Sequence, residues 1–146
     1  MRVALCVTSL LAGLACSTGT GLARCDTSGT SGVICAPLGE PFDVRIGETA
    51  YIADTRFTVR VNAVPEDSRC PRDAVCVWAG NARVALTLRE AAKADDADVN
   101  STLEPHAVTR WGYTTELVDV RPLPTAGERI PAQEYVIRLV VTRPTD

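Results

Sequence analysis

Between positions 82 and 89 every second residue is apolar on one register: Ala82, Val84, Leu86 and Leu88 alternate with Arg83, Ala85, Thr87 and Arg89. A period of two sends one set to one side of a pleated ribbon and the other set to the opposite side, whereas a helix of period 3.6 gathers neither set into a stripe. The same alternation recurs as Phe42, Val44 and Ile46 against Asp43 and Arg45, and as Phe57, Val59 and Val61 against Thr58, Arg60 and Asn62. Such a chain folds as sheets, each with a buried face.

Turn signals follow one another closely. Gly47-Glu48 offers a two-residue hairpin, so residues 42–46 and 49–53 are predicted as paired neighbours, and a turn at Asp54-Thr55 leads into the Phe57 strand as a three-strand meander. Residues 90–100, EAAKADDADVN, lose the period and collect charge, which predicts an exposed loop with at most one helical turn. Ser101 to Leu103 reads as a short strand, and Val118 with Val120 as a better one, ended by Pro122 and Pro124. Residues 135–141 are apolar on both faces, the mark of a strand inside a sheet. The reading is all-β, an immunoglobulin-like β-sandwich or small barrel of about seven strands occupying residues 40–146.

The amino terminus has a different character. MRVALCVTSLLAGLAC has one arginine, an apolar run from Val3 to Leu14 and then small residues, the pattern of an export signal too short for a retained membrane span. Residues 12–16, AGLAC, resemble a bacterial lipobox, with Gly13 where leucine is usual. On that reading 1–16 is a lipoprotein signal and Cys16 the lipid anchor, with Ser17 pointing to the outer membrane. Ordinary cleavage after Ala23, removing 1–23, is the rival. Residues 17–39 are rich in Ser, Thr and Gly and read as a flexible tether.

Export determines how the cysteines are read. With Cys6 in the apolar run and Cys16 at the anchor, Cys25, Cys35, Cys70 and Cys76 remain, an even number suited to an oxidising compartment. Cys70 and Cys76 could be metal ligands, a redox pair or a staple. Zinc wants two close pairs of ligands, and the other pair lies in the tether. A redox pair wants close spacing at a helix start, and here five residues intervene between strands. A disulfide closing a loop tip is the plainer reading, as is Cys25 with Cys35. No metal and no cofactor are expected. Loss of Arg2 leaves 14 of the 15 basic residues against 18 acidic ones, a net charge of 14 − 18 = −4, which implies neither nucleic acid nor anionic lipid as a partner.

The stretch EDSRCP, residues 66–71, followed by CVWAGNA, residues 76–82, and an alternating strand, resembles a family of small secreted or lipid-anchored bacterial β domains of uncharacterised function. The likeness spans roughly residues 45–142 and implies a disulfide-tipped all-β envelope module. Within the stretch, Asp67 and Ser68 suit a turn, Gly80 a bend, and Trp78 is expected to cover the disulfide. Arg69 is expected to bind a carboxylate, in the domain or on a partner.

Catalytic patterns are scarce. His106 is the single histidine and no nucleophile elbow precedes it. Asp95, Asp96 and Asp98 lack the glycine and terminal glutamate of a calcium loop. The expectation is therefore a non-enzymatic, monomeric binding or structural module of the cell envelope, with an envelope protein or glycan as partner and Arg69, Arg72, Trp111 and Tyr113 as contact residues. Alternatives are a protease inhibitor presenting loop 65–76 as a wedge and a carboxylate-dependent hydrolase using Glu66 and Asp67.

Overall fold

A computed structural model of the protein describes residues 33–144. There, nine strands form two sheets. One holds β1 (Val33–Ala36), β3 (Thr49–Ile52), β4 (Phe57–Asp67), β5 (Ala82–Glu90) and β6 (Lys93–Asn100), in that spatial order. The other holds β2 (Phe42–Arg45), β9 (Val136–Thr142), β8 (Tyr113–Arg121) and β7 (Ala107–Arg110). Neither sheet closes on itself, so the architecture is an all-β sandwich rather than a barrel. The alternating residues do what their period requires. Val44, Phe57, Val59, Val61, Val84, Leu86, Leu88, Ile137, Leu139 and Val141 are all buried between the sheets. Each such side chain stabilises the fold by roughly 1.5–3 kcal/mol relative to exposure. β9, apolar on both faces, lies between β2 and β8, as its composition predicts.

The strand count exceeds the expected seven because β1, β6 and β7 lack the alternating signature, while the short strand expected at 101–103 does not form. β6 replaces the loop expected at 90–100: the chain turns at Ala91 (φ 54°) and pairs back along β5 from Glu90↔Lys93 to Arg83↔Asn100. As an edge strand it needs no continuous apolar face: Asp96 and Asp98 bond on the outer face, while Asp95, opposite buried Leu88, reaches across to β7 of the other sheet. Asp98 receives Arg83 at 3.0 Å, Asp96 the Thr87 hydroxyl at 2.6 Å and Asp95 the Arg110 guanidinium at 2.5 Å. A charged edge of this kind discourages pairing with a second sheet. β1, in the stretch expected to be tether, covers the opposite edge by parallel pairing with β3. The sandwich therefore begins by Val33 rather than at residue 40.

The meander also needs correction. Gly47 (φ 87°) does turn the chain, but out of one sheet and into the other: β2 pairs with β9, while β3 pairs with β4. Two strands that contribute to one core from opposite sides cannot also be hairpin neighbours, and the Gly47 N–H is tied across to the Val61 carbonyl at 2.7 Å. Residues 101–103 are a bend, not a strand.

Strand directions place several ends together. β4, β6 and β8 finish, and β5 and β9 begin, at one end of the sandwich, as Asp67↔Ala82, Arg83↔Asn100 and Arg121↔Val136 show. The loops that join them form one face, and the cysteine motif lies on it.

Candidate functional site

The inner residues of the motif form a brace. Asp67 ends β4 and Arg69 follows two residues later, its guanidinium folded back in a bidentate fork: Nε donates to one carboxylate oxygen at 2.8 Å and Nη2 to the other at 2.7 Å. Nη2 also donates to the Pro122 carbonyl at 2.8 Å, and Nη1 donates to the Val120 carbonyl. The Tyr135 hydroxyl donates to the same carboxylate at 2.9 Å. One buried ion pair thus ties the end of β4 to the end of β8 and the start of β9, and so one sheet to the other. Arg69 is only 9% exposed. The carboxylate it was expected to bind is an internal one, so the guanidinium does not face a partner.

The electrostatics agree with the geometry. Burial alone would raise the Asp67 pKa, but the hydrogen bonds and charge of Arg69, helped by Tyr135, outweigh it and hold the carboxyl below its ordinary value. Tyr135 responds in the opposite sense, pushed up to about 12 first by burial and then by its bond to the Asp67 anion.

The two legs of the motif loop are joined just outside this pair. Ser68 N–H donates to the Asn81 carbonyl at 2.7 Å, Asn81 N–H to the Ser68 hydroxyl at 3.1 Å and Cys70 N–H to the Ala79 carbonyl at 3.0 Å. The approach is so close that a Cβ on Gly80 would lie 1.8 Å from the Ser68 carbonyl oxygen, and Gly80 also sits at φ 69°, so glycine is required twice over. Asn81 is buried and organises the neighbouring loop. Its Nδ2 donates to Asn100 Oδ1 at 2.9 Å, and its Oδ1 accepts from Thr102 N–H at 3.1 Å and Leu103 N–H at 3.4 Å. Cys70 and Cys76 form the expected disulfide, with Cα atoms 5.9 Å apart.

Beyond the disulfide the character reverses. Val75, Val77 and Trp78 are 103%, 90% and 83% exposed. Trp78 therefore does not cover the disulfide as expected: residues 71–79 form turns and bends with no strand beside them, so they offer no pleated face on which Cys76 and Trp78 could share a side. The loop is nonetheless held, with Arg72 N–H donating to the Pro124 carbonyl at 3.0 Å and Asp73 accepting from Ala126 N–H at 2.9 Å. Among the described residues seven large apolar side chains are exposed: Leu38, Val75, Val77, Trp78, Leu103, Val118 and Leu123. All except Leu38 and Val118, hence five of the seven, lie on loops at this one end.

A cleft of about 680 Å³ opens beside the brace, lined by Ile46, Val64, Pro65, Ile130 and Pro131 with Asp67 and Tyr135 among its polar groups. The carboxylates proposed for hydrolysis do not converge in it. Glu66 and Asp67 are neighbours on a strand and point to opposite sides; Glu66 pairs with Arg83 at 3.5 Å while Asp67 is held by Arg69.

The remaining expected residues are distributed elsewhere. Arg72 is exposed on the tip. Trp111 (φ 50°) and Tyr113 flank the turn between β7 and β8 at the far end, where Tyr113 is buried and stacked on Phe57 at 4.5 Å between ring centroids. Trp111 is half-buried against the core. Both belong to packing there rather than to the motif's face. His106 Nδ1 lies 2.9 Å from the Asn100 carbonyl, pinned to the loop Asn81 organises. Cys35 is disulfide-bonded, while Cys16 and Cys25 lie outside the described residues. No group of three or more metal-ligating side chains occurs among the described residues, and no helix there is long and apolar enough to cross a membrane.

Sequence reasoning missed Tyr135, Asn81 and the exposure of the tip. Tyr135 lies 68 residues from Asp67, a pairing that no local pattern announces. The tip did carry a signal, since Val75, Val77 and Trp78 crowd a segment with neither alternation nor a strand partner.

No described protein family, curated protein or solved structure matches this chain.

Proposed function

We propose that this protein is exported, held to the bacterial cell envelope through Cys16, and works without catalysis as a binding module whose contact surface is the loop end of the sandwich. One observation carries the reading: Asp67, Arg69 and Asn81 turn inward to brace a loop whose tip exposes Val75, Val77 and Trp78 beside Arg72 and Asp73. A small domain keeps a largely exposed tryptophan next to exposed valines when that group is covered by something else in use. The absence of a catalytic set is supported by the divergence of Glu66 from Asp67 and by the engagement of His106 within its own loop.

The inhibitor alternative is weaker. Its wedge relied on Arg69 and Arg72 together, and Arg69 is buried beneath the loop. The anchored-module reading is tested by fractionation combined with photo-crosslinking in intact cells. Wild-type chain should sediment with membranes and Cys16→Ala should not. A photoreactive residue at position 78 should give adducts where the same residue at Asp96, on the β6 edge, gives none. Equal labelling at both positions would defeat the assignment of the contact face, and unchanged fractionation of Cys16→Ala would defeat the anchor.

A further inference from the structure

Resting on that anchored reading, we infer that the surface covered by the loop end is the bilayer itself: Trp78, Val75 and Val77, with Leu103 and Leu123 on adjoining loops, seat in the interfacial layer of a zwitterionic membrane. Three observations converge on lipid. The first is shape. Residues as exposed as Val75 and Val77 stand proud of the surface, and a convex apolar tip matches a soft interface that closes around it. The tip also carries an exposed tryptophan, the side chain whose apolar body and N–H suit the boundary between headgroup and acyl chain.

The second is direction. β1 is parallel to β3, and Val33 lies opposite Thr49, which lies opposite Arg60 on β4. β4 runs on from Arg60 to Asp67 at the loop end, about 20 Å further at strand rise. β1 therefore runs away from the loop end, with Val33 at its end nearer the apolar loops. Sixteen residues, 17–32, separate Cys16 from β1 and can span up to about 55 Å. A lipid on Cys16 and an inserted tip can thus occupy one membrane surface, the short span being the one that brings the loop end down onto it.

The third is charge. Residues 70–79 contain one arginine and one aspartate, Arg72 and Asp73, so the tip is neutral and nothing in it selects anionic headgroups. Apolar insertion is the remaining source of affinity, and it is insensitive to salt.

The test uses full-length protein, purified in detergent and reconstituted into phosphatidylcholine vesicles, in a Trp111→Phe background that leaves Trp78 as the one tryptophan. Trp78 emission should shift to the blue and be quenched by brominated phosphatidylcholine, to the same extent at low and high salt. Val75→Glu with Val77→Glu should abolish both signals while the protein still co-sediments through its lipid. Emission that stays at the solvent position in anchored protein overturns the inference. Protection of Trp78 that appears only when envelope proteins are added, without bromolipid quenching, overturns it in favour of a protein partner. If the chain carries no lipid and does not co-sediment, the anchor has failed separately. Vesicles added in excess then decide the tip, since a seating tip still quenches and the double variant needs at least about a hundredfold more lipid, whereas no quenching at any lipid level overturns it.

Discussion

The inner and outer halves of the cysteine loop, a few residues apart in sequence, differ sharply in how their side chains are engaged. At the base, Asp67, Ser68, Arg69, Gly80 and Asn81 are held by hydrogen bonds, an ion pair or a backbone contact too close for any side chain. At the tip, Val75, Val77 and Trp78 contact little of the domain. The difference teaches what the brace is for. A buried ion pair seldom adds net stability over a well-packed apolar substitute, because desolvation offsets its attraction. It does impose one geometry, and here the geometry imposed is that of the loop relative to both sheets.

The contrast breaks most readily at Arg69. Arg69→Met leaves the Asp67 carboxylate buried without a counter-charge, bonded only to the Tyr135 hydroxyl and the backbone N–H of residue 69, and should cost about 3–5 kcal/mol in chemical denaturation; a loss below 1 kcal/mol would mean the brace is dispensable. A middle-sized effect is expected from Tyr135→Phe, about 1.5 kcal/mol for a hydrogen bond to a charged acceptor. It carries a pH signature whose sign follows from the raised pKa. The folded state keeps its phenol proton up to about 12 against an ordinary 10.0, so the contribution is complete below pH 10 and falls away as pH rises toward 12. Wild-type stability should decline across that window and Tyr135→Phe should not share that part of the decline. The smallest effect is expected at the tip, where Trp78→Ala should change stability by no more than about 0.5 kcal/mol. A larger loss would show that Trp78 has a packing duty, and the contrast between base and tip would collapse.

Residues differ in how openly the sequence declares them. β4, β5 and β9 were legible because a period of two with a buried face is a local pattern that burial enforces at each position. β6 was not, because an edge strand can form from residues such as Asp95, Asp96 and Asp98 once β5 supplies the ladder. β2 and β3 were placed as elements but not as partners, since Gly47 specifies a change of direction and not the sheet into which the chain turns. In the site, the staple followed from cysteine spacing and compartment. Arg69 could be singled out but its target could not, because Asp67 is a neighbour in sequence while Val120, Pro122 and Tyr135 arrive from 51 to 68 residues away.

The fusion of the loop's two legs at Gly80 bears on how the protein can change over time. Because Ser68 and Asn81 close the backbone beneath the disulfide, the side chains outside that closure can vary in number and chemistry with little transmission into the sheets. The domain is built like a handle with an exchangeable blade.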